Sequence, residues 1–439
     1  MVASIGIDFG TTNTVLALAQ DDGTVTTARF DVEGDSSGNC RTVLTFTQAE
    51  EGASPIAVEI GPWAIRRYLA APAECRFVQS PKSYLGSRLF QDTRIYGRSY
   101  RLEDLVSVFL RELARHAGLP EGFAAGGCVA GRPVAFWGSD PDDGLAMSRL
   151  RAAYGDAGWG RPDFVYEPVA ASYYFATRLK QDATVLVADL GGGTTDYSVI
   201  RYEIADGPAP SAPLKVTPIA HRGVGIGGDR FDFRIVQHAV APLVGKGTTY
   251  RSFGKRFDMP AAYFNRIANW HEFSFLRSPE VLRDLRQLVR QSEAPEKLER
   301  LLALVDGNLG FHLNHRVTAA KAALSSAESV TLSLADLGVD VECGIARADF
   351  DDWIADDLAE LERHLDAVLE DTRRAAGEVD VVFMTGGSSL VPAVRGMFER
   401  RFGVGRIQAG DEFQSVAKGL ALIGRVADRR PWTFDGGVA

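Results

Sequence analysis

Residues 5–14 read IGIDFGTTNT, and residues 187–199 read VADLGGGTTDYSV. In each, an apolar run meets an acid, passes through glycine and a pair of threonines, and returns to apolar alternation. That pattern reads as a strand, a tight turn and a return strand. The first opening is Asp8-Phe9-Gly10-Thr11-Thr12, and the second is Asp189-Leu190-Gly191-Gly192-Gly193-Thr194-Thr195-Asp196. One supersecondary unit is used twice, about 180 residues apart. A repeat at that period means duplicated domains, because solenoid repeats are far shorter. The chain therefore reads as an α/β protein of two lobes, residues 1–180 and 181–425, followed by a short tail at 426–439.

Working outward, the first 30 residues form a three-strand meander, closed by DDG and the run TVTTARF. LEDLVSVFLRELARHAG (102–118) carries leucines and valines at helical spacing, and GGCVAGRPVAF (126–136) reads as a strand entering a loop. After VLVADLGGGTTDYSVIRYE (185–203) and the Pro-rich loop DGPAPSAP, LKVTPIAHR (214–222) supplies a third strand of the second meander. From about 232 to 326 the chain reads as a helical subdomain with interleaved charges, as in SPEVLRDLRQLVRQSEAPEKLERLLALV, which is the signature of solvated helix faces. VDVVFMTGGSSLVPAVRGMFERRFG (379–403) is a buried strand, a Gly-Gly-Ser turn and an amphipathic helix.

The 439 residues are 46% hydrophobic and 24% charged, ordinary values for a globular chain. Cys40, Cys75, Cys128 and Cys343 have no metal-ligand spacing, so reduced thiols in a cytoplasmic protein are expected. Met-Val-Ala-Ser leads at once into the strand bearing Asp8, which does not fit a signal peptide. No apolar run approaches the ~20 residues of a membrane span. The net charge of −9, with acids and bases interspersed, argues against a nucleic-acid surface.

Glycine turns between strands expose successive N–H groups that bind anions, and Thr11, Thr12, Thr194 and Thr195 add hydroxyls. A carboxylate at the mouth of each turn would repel bare phosphate. A hydrated Mg²⁺ between them resolves the conflict, with Asp8 and Asp189 as its candidates. Two hairpins in register, with a third turn at Gly386-Gly387-Ser388 feeding a helix, point to a nucleotide. Competing motifs fail. Gly245-Lys246-Gly247-Thr248 lacks the upstream glycine of a P-loop, and Gly223-Val224-Gly225-Ile226-Gly227-Gly228 fits GxGxxG but follows the wrong strand. Asp8-Phe9-Gly10 matches the magnesium loop of protein kinases in letters only, because seven upstream residues cannot hold the rest of a kinase. His312 and His315, three apart on a polar helix, are read as surface residues.

IGIDFGTTNT, YEPVAASYYFA (166–176), VADLGGGTTDYSV, GIGGDRFD (226–232 with Gly225) and MTGGSSLVP (384–392) follow the order and spacing of the nucleotide-binding domain of DnaK-type heat-shock chaperones. The chain resembles that heat-shock-protein-70 family over nearly its whole length, in a short form similar to the YegD-like branch. The resemblance implies two actin-like (ribonuclease H-like) lobes around a central nucleotide cleft. It also implies ATP or ADP with Mg²⁺ as the bound species. Asp8 and Asp189 would hold the hydrated metal. Gly10, Thr11, Thr12, Asn13, Gly191, Gly192, Gly193 and Thr194 would cradle phosphate, and Gly227, Gly228, Asp229, Gly386, Gly387 and Ser388 would also contact the nucleotide. Lys82, Glu167, Thr194 and Asp196 match the catalytic lysine, the water-positioning carboxylates and the threonine beside the γ-phosphate. Hydrolysis there needs charge stabilisation and an oriented water more than covalent chemistry.

Lys321 and Ser325 match the ribose and base contacts, but Ala322 and Leu390 stand where the family places arginines, and Thr318 stands for a glutamate. Each lost guanidinium removes stacking worth ~0.5–2 kcal/mol, so weak adenosine selection is expected. After Ala427 only DRRPWTFDGGVA remains, so no intrinsic peptide clamp is expected. The residues name no client, co-chaperone or exchange factor. The favoured reading is a slowly hydrolysing, ATP-binding, chaperone-like protein. The alternatives are a sugar-type kinase of the same superfamily and a nucleotide-dependent scaffold without turnover.

Overall fold

The computed structural model describes residues 2–32, 35–48, 56–120, 122–123, 127–138, 140–177, 179, 181–204, 214–372, 376–409, 414–426, 429 and 432. The expected Pro-rich loop at 206–213 and nearly all of the 426–439 tail lie outside them. Two compact units emerge. One comprises Met1–Gly227, Leu361–Ser389 and Gly396–Ala439, and the other Gly228–Glu360 with Leu390–Arg395.

Both acidic hairpins lie in the first unit. Val2–Phe9 pairs antiparallel with Asn13–Gln20, which pairs with Val25–Thr27, so the expected meander forms. On its other side Val2–Phe9 runs parallel to Cys128–Arg132, and that strand to Asp163–Tyr166. The second sheet repeats the scheme. Ala183–Leu190 pairs antiparallel with Thr195–Ile204, which pairs with Leu214–Val224, and parallel with Val381–Thr385. The central strands Val2–Phe9 and Ala183–Leu190 are almost wholly buried, as apolar runs flanked by parallel neighbours must be.

The Glu167–Ala176 and Ser415–Ile423 helices cross at small residues. A Cβ on Gly419 would stand 1.8 Å from the Ala170 carbonyl oxygen, so only glycine admits this contact. That crossing fixes the first turn of the Glu167 helix, which starts directly from the Asp163–Tyr166 strand. The helix expected at 102–118 forms as Leu102–His116, with Leu105, Val106, Phe109, Leu110 and Leu113 facing the core.

The second unit is mainly helical. Pro279–Gln291 buries Leu285 and Leu288, and Pro295–Asp306 buries Leu298, Leu301, Leu304 and Val305, leaving the charges in solvent as the interleaved pattern implied. It also holds a hairpin that the helical reading of 232–326 did not anticipate, Thr249–Ser252 with Lys255–Asp258, and a second beyond that range, Ser329–Ser333 with Glu342–Ala346. All four cysteines are free, with Cys40 and Cys128 buried.

Candidate functional site

Three glycine turns of the first unit meet. A Cβ on Gly193 would lie 3.5 Å from Thr11, which brings the first and second hairpin turns side by side. Ser388 Oγ donates to the Gly191 carbonyl at 3.2 Å, attaching the Gly386-Gly387-Ser388 turn. Gly386 has φ +83, and a side chain there would strike the Leu190 carbonyl at 2.3 Å. Gly227 packs as tightly, with its hypothetical Cβ 2.5 Å from the Gly192 carbonyl.

Each turn is braced by the backbone. The Gly191 N–H donates to Thr194 O at 3.0 Å. The first turn is held by Thr42, whose hydroxyl donates to Gly10 O at 2.8 Å and whose N–H donates to Thr12 O at 3.0 Å. The carbonyl of Thr42 accepts the Ser80 N–H at 3.0 Å, which ties the same residue to the segment before Lys82. Asn13 opens the return strand opposite Arg41. Thr12 Oγ1 is buried in the turn and has no hydrogen-bond partner among the described residues.

Lys82 lies in a short helical turn, Pro81–Tyr84, entered through Ser80 in the left-handed region at φ +45. Its ammonium donates to Glu167 Oε1 at 2.6 Å, and both side chains are buried. Burial alone would lower the Lys82 pKa, but Glu167 and Asp8 outweigh it and hold the ammonium above its usual range. Asp8 ends the first hairpin strand, and burial pushes its carboxyl well above the usual range, with Glu167 and Asp189 adding to the rise. Asp189 is pushed up to about 8 by burial and then by Glu167 and Asp196. Asp196, raised by burial and by Glu167 to about 7, accepts the Val134 N–H at 3.1 Å and the Thr194 hydroxyl at 3.2 Å.

The two hairpins differ at the register position of their acids. Asp189 faces Asp196 directly across its strand pair, whereas Asp8 faces Val15. The like charge of Asp196 opposite Asp189 adds to the burial and to Glu167 in raising the Asp189 carboxyl. The result is four carboxylates around one ammonium, with Glu167 and Asp196 buried and Asp8 and Asp189 half-buried. Bare, this cluster carries more negative charge than a dry site holds; a divalent cation and phosphate donors fit it. Among the described residues no three of His, Cys, Asp and Glu converge as a direct metal cage.

Sequence reasoning missed three residues here. Thr42 has no pattern signal, being one threonine in an ordinary strand-like run. Val134 acts through its backbone, invisible to side-chain logic. Arg132 is buried at the end of Cys128–Arg132, with its guanidinium 4.9 Å from the Tyr166 ring and 3.1 Å from Asp143 Oδ2. A buried arginine just before Pro133 was its one available signal.

The residues expected to meet the nucleoside belong to the second unit. Gly228 and Asp229 open the Gly228–Ile235 helix. Lys321 donates to Gly228 O at 2.8 Å and pairs with Asp232 at 2.9 Å, while the Thr318 hydroxyl donates to the same carboxylate at 3.0 Å. Thr318 therefore helps hold an internal acid in place. Ser325 caps the Gly310–Leu324 helix, which also carries His312 and His315, and Leu390 is about half exposed.

Twin strand–glycine hairpins with a buried lysine–carboxylate pair define a protein of the actin-like ATPase fold. The family model described as "Hsp70 protein" matches residues 153–248 and 306–430, half of the chain. The chain belongs to the Hsp70 family. It is similar to the chaperone protein dnaK of Gracilaria tenuistipitata var. liui, at 25% identity over 98% of this chain and 62% of that protein. It is equally similar to the chaperone protein DnaK of Deinococcus deserti and of Deinococcus radiodurans, at 25% identity over 96% of this chain and 59% of each. The chain thus spans about three-fifths of the length of the curated relatives it matches.

Proposed function

We propose that the chain binds Mg-ATP and Mg-ADP at the converged glycine turns and hydrolyses ATP slowly, as a chaperone-like protein whose nucleotide state is read out as lobe closure. The observation that carries this reading is the buried Lys82–Glu167 pair beside Asp8, Asp189 and Asp196. In this reading Asp8 and Asp189 hold Mg²⁺ through its own waters. The ion, when bound, offsets phosphate charge. Lys82 neutralises charge that develops on the γ-phosphate, and Glu167, fixed by that lysine, orients the attacking water. Asp196, with a pKa near neutrality, can take up and return a proton at its Oδ atoms. Gly10–Asn13, Gly191–Thr194, Gly227 and Gly386–Ser388 supply phosphate donors, and the buried, unpartnered Thr12 hydroxyl is one more. Gly228, Asp229, Lys321 and Ser325 serve the nucleoside end.

Among the described residues no helix is long and apolar enough to cross a membrane. A cytoplasmic, YegD-like protein accords with this reading. A sugar-type kinase is less well supported, because its base would have to face an open cleft. Asp196 is instead 1% exposed, with both oxygens engaged.

Phosphate release from ATP by the wild type and by Lys82→Ala, with and without a panel of sugars, tests the reading. Basal release that falls roughly 100-fold or more in Lys82→Ala is expected. Transfer seen only with a sugar, or release that is indifferent to the substitution, overturns it.

A further inference from the structure

Among the described residues Arg132 is the one buried arginine, at 6% exposure. Burying a guanidinium costs free energy, so its placement calls for a reason. Its charge is matched by one carboxylate, Asp143, whose own side chain is 51% exposed. Asp143 is the first residue of the Asp143–Asp156 helix, and a cation at that end of a helix opposes the helix dipole. Holding this helix therefore does not explain Arg132.

The other contacts turn toward the site. The guanidinium lies 5.4 Å from the Phe136 ring and 4.9 Å from that of Tyr166, the residue before Glu167. Arg132 Nε donates to Pro133 O at 3.1 Å. The N–H of that same peptide group, on Val134, donates to Asp196 Oδ1 at 3.1 Å. A peptide group is planar, so a hold on its oxygen also sets the direction of its N–H. The Pro133 ring fixes φ, which leaves rotation about ψ to turn the plane on its N-terminal side, and the Arg132 bond restrains that rotation. A charged donor also polarises the carbonyl and strengthens the N–H beyond it as a donor. On the far side, a Cβ on Gly223 would stand 2.7 Å from Asp196 Oδ1 and 3.0 Å from the Ala135 nitrogen. The Asp196 oxygen is thus seated between the Val134 N–H and the Gly223 backbone.

We propose that Arg132 is a positioning residue: through the Pro133–Val134 peptide group it fixes Asp196 in the orientation from which that carboxylate takes up and returns a proton. The proposal rests on the reading of the site as an ATP hydrolase. Arg132 meets neither phosphate nor water in this scheme, so its loss lowers the rate and leaves nucleotide affinity in place.

Two substitutions of equal length separate this role from charge and bulk. Arg132→Gln keeps an N–H donor at the position of Nε, whereas Arg132→Met puts a methyl group there. Amide hydrogen exchange at Val134 in the nucleotide-free protein reads the hold without any turnover, with the Leu102–His116 helix as the folding control. Exchange at Val134 is expected to rise roughly tenfold in Arg132→Met, with the helix unchanged. The single-turnover rate of phosphate release at saturating Mg-ATP falls roughly tenfold in the same variant, while the Mg-ATP dissociation constant stays within about twofold of wild type. Arg132→Gln and Asp143→Asn stay within about threefold of wild type in both exchange and rate, because each keeps the bond to Pro133 O and the exposed ion pair contributes little.

The proposal is overturned if Val134 exchange is unchanged in Arg132→Met or rises equally in the helix. It is also overturned if Arg132→Gln or Asp143→Asn falls as far as Arg132→Met, or if the loss lies in the dissociation constant. A wild type that releases no phosphate overturns the hydrolytic reading instead, and Val134 exchange then still decides whether Arg132 holds the peptide group.

Discussion

Asp196 accepts two hydrogen bonds and still has its carboxyl raised to about 7, because burial and Glu167 outweigh them. The arrangement comes at a cost to folding, because its carboxylates crowd around one ammonium. Asp196→Asn removes one unit of that repulsion and keeps an acceptor for the Val134 N–H. The substitution should stabilise the nucleotide-free, metal-free protein at pH 7.5 by roughly 1–3 kcal/mol, as read by urea unfolding, while phosphate release falls. A destabilised variant would mean that the carboxylate is held by pairing stronger than its desolvation. At this scale the sequence spoke unevenly. Asp8 and Asp189 were legible because a glycine turn with an acid at its mouth is a local pattern. Lys82 and Glu167 became legible only through family resemblance, since each alone is an ordinary surface-type residue. Thr42 was illegible, because its role exists only where residues 10–12 and 80 come together in space.

Among the elements, the hairpins and the helix at 102–116 could be read directly, because periods of 2 and 3.6 survive in the residues that face a core. The crossing of the Glu167–Ala176 and Ser415–Ile423 helices could not. Gly419 lies inside a helix, where glycine normally signals weakness, and its reason is a neighbouring backbone remote in sequence. Gly419→Val would push the Glu167 helix off its position. Loss of cooperative unfolding, or destabilisation beyond about 3 kcal/mol, is expected in denaturant titration, against a near-neutral effect for Gly377→Val, whose Cβ would meet nothing. The hairpin Thr249–Asp258 was also missed. Its strands are four residues each and all but unburied, so no apolar alternation marks them, and the surrounding charge pattern reads as helix.

For the whole molecule, the residues proposed for the phosphates are rich in preorganised groups and those proposed for the base are poor in them. Lys321 is already engaged with Asp232 and Gly228, and Ala322 and Leu390 bring no guanidinium plane. Affinity should therefore come from phosphate and metal rather than from the base. Calorimetric titration with ATP, ADP and GTP is expected to give dissociation constants within roughly tenfold of one another, in the micromolar range or weaker. Submicromolar ATP binding with GTP more than about 100-fold weaker would contradict this. Mg-ATP should also raise the melting temperature, because a ligand that binds only the folded state stabilises it by mass action.

The register difference between the hairpins can be put in the language of symmetry. The two halves repeat one backbone path, but a chemical step has a direction, and a perfectly duplicated site would have no way to tell attacking water from leaving group. Asp196, which stands where the first copy has Val15, is one of the changes that make the acid positions non-equivalent. The likeness of the halves gives the fold, and on the proposed reading the positions where they differ would give the reaction its polarity.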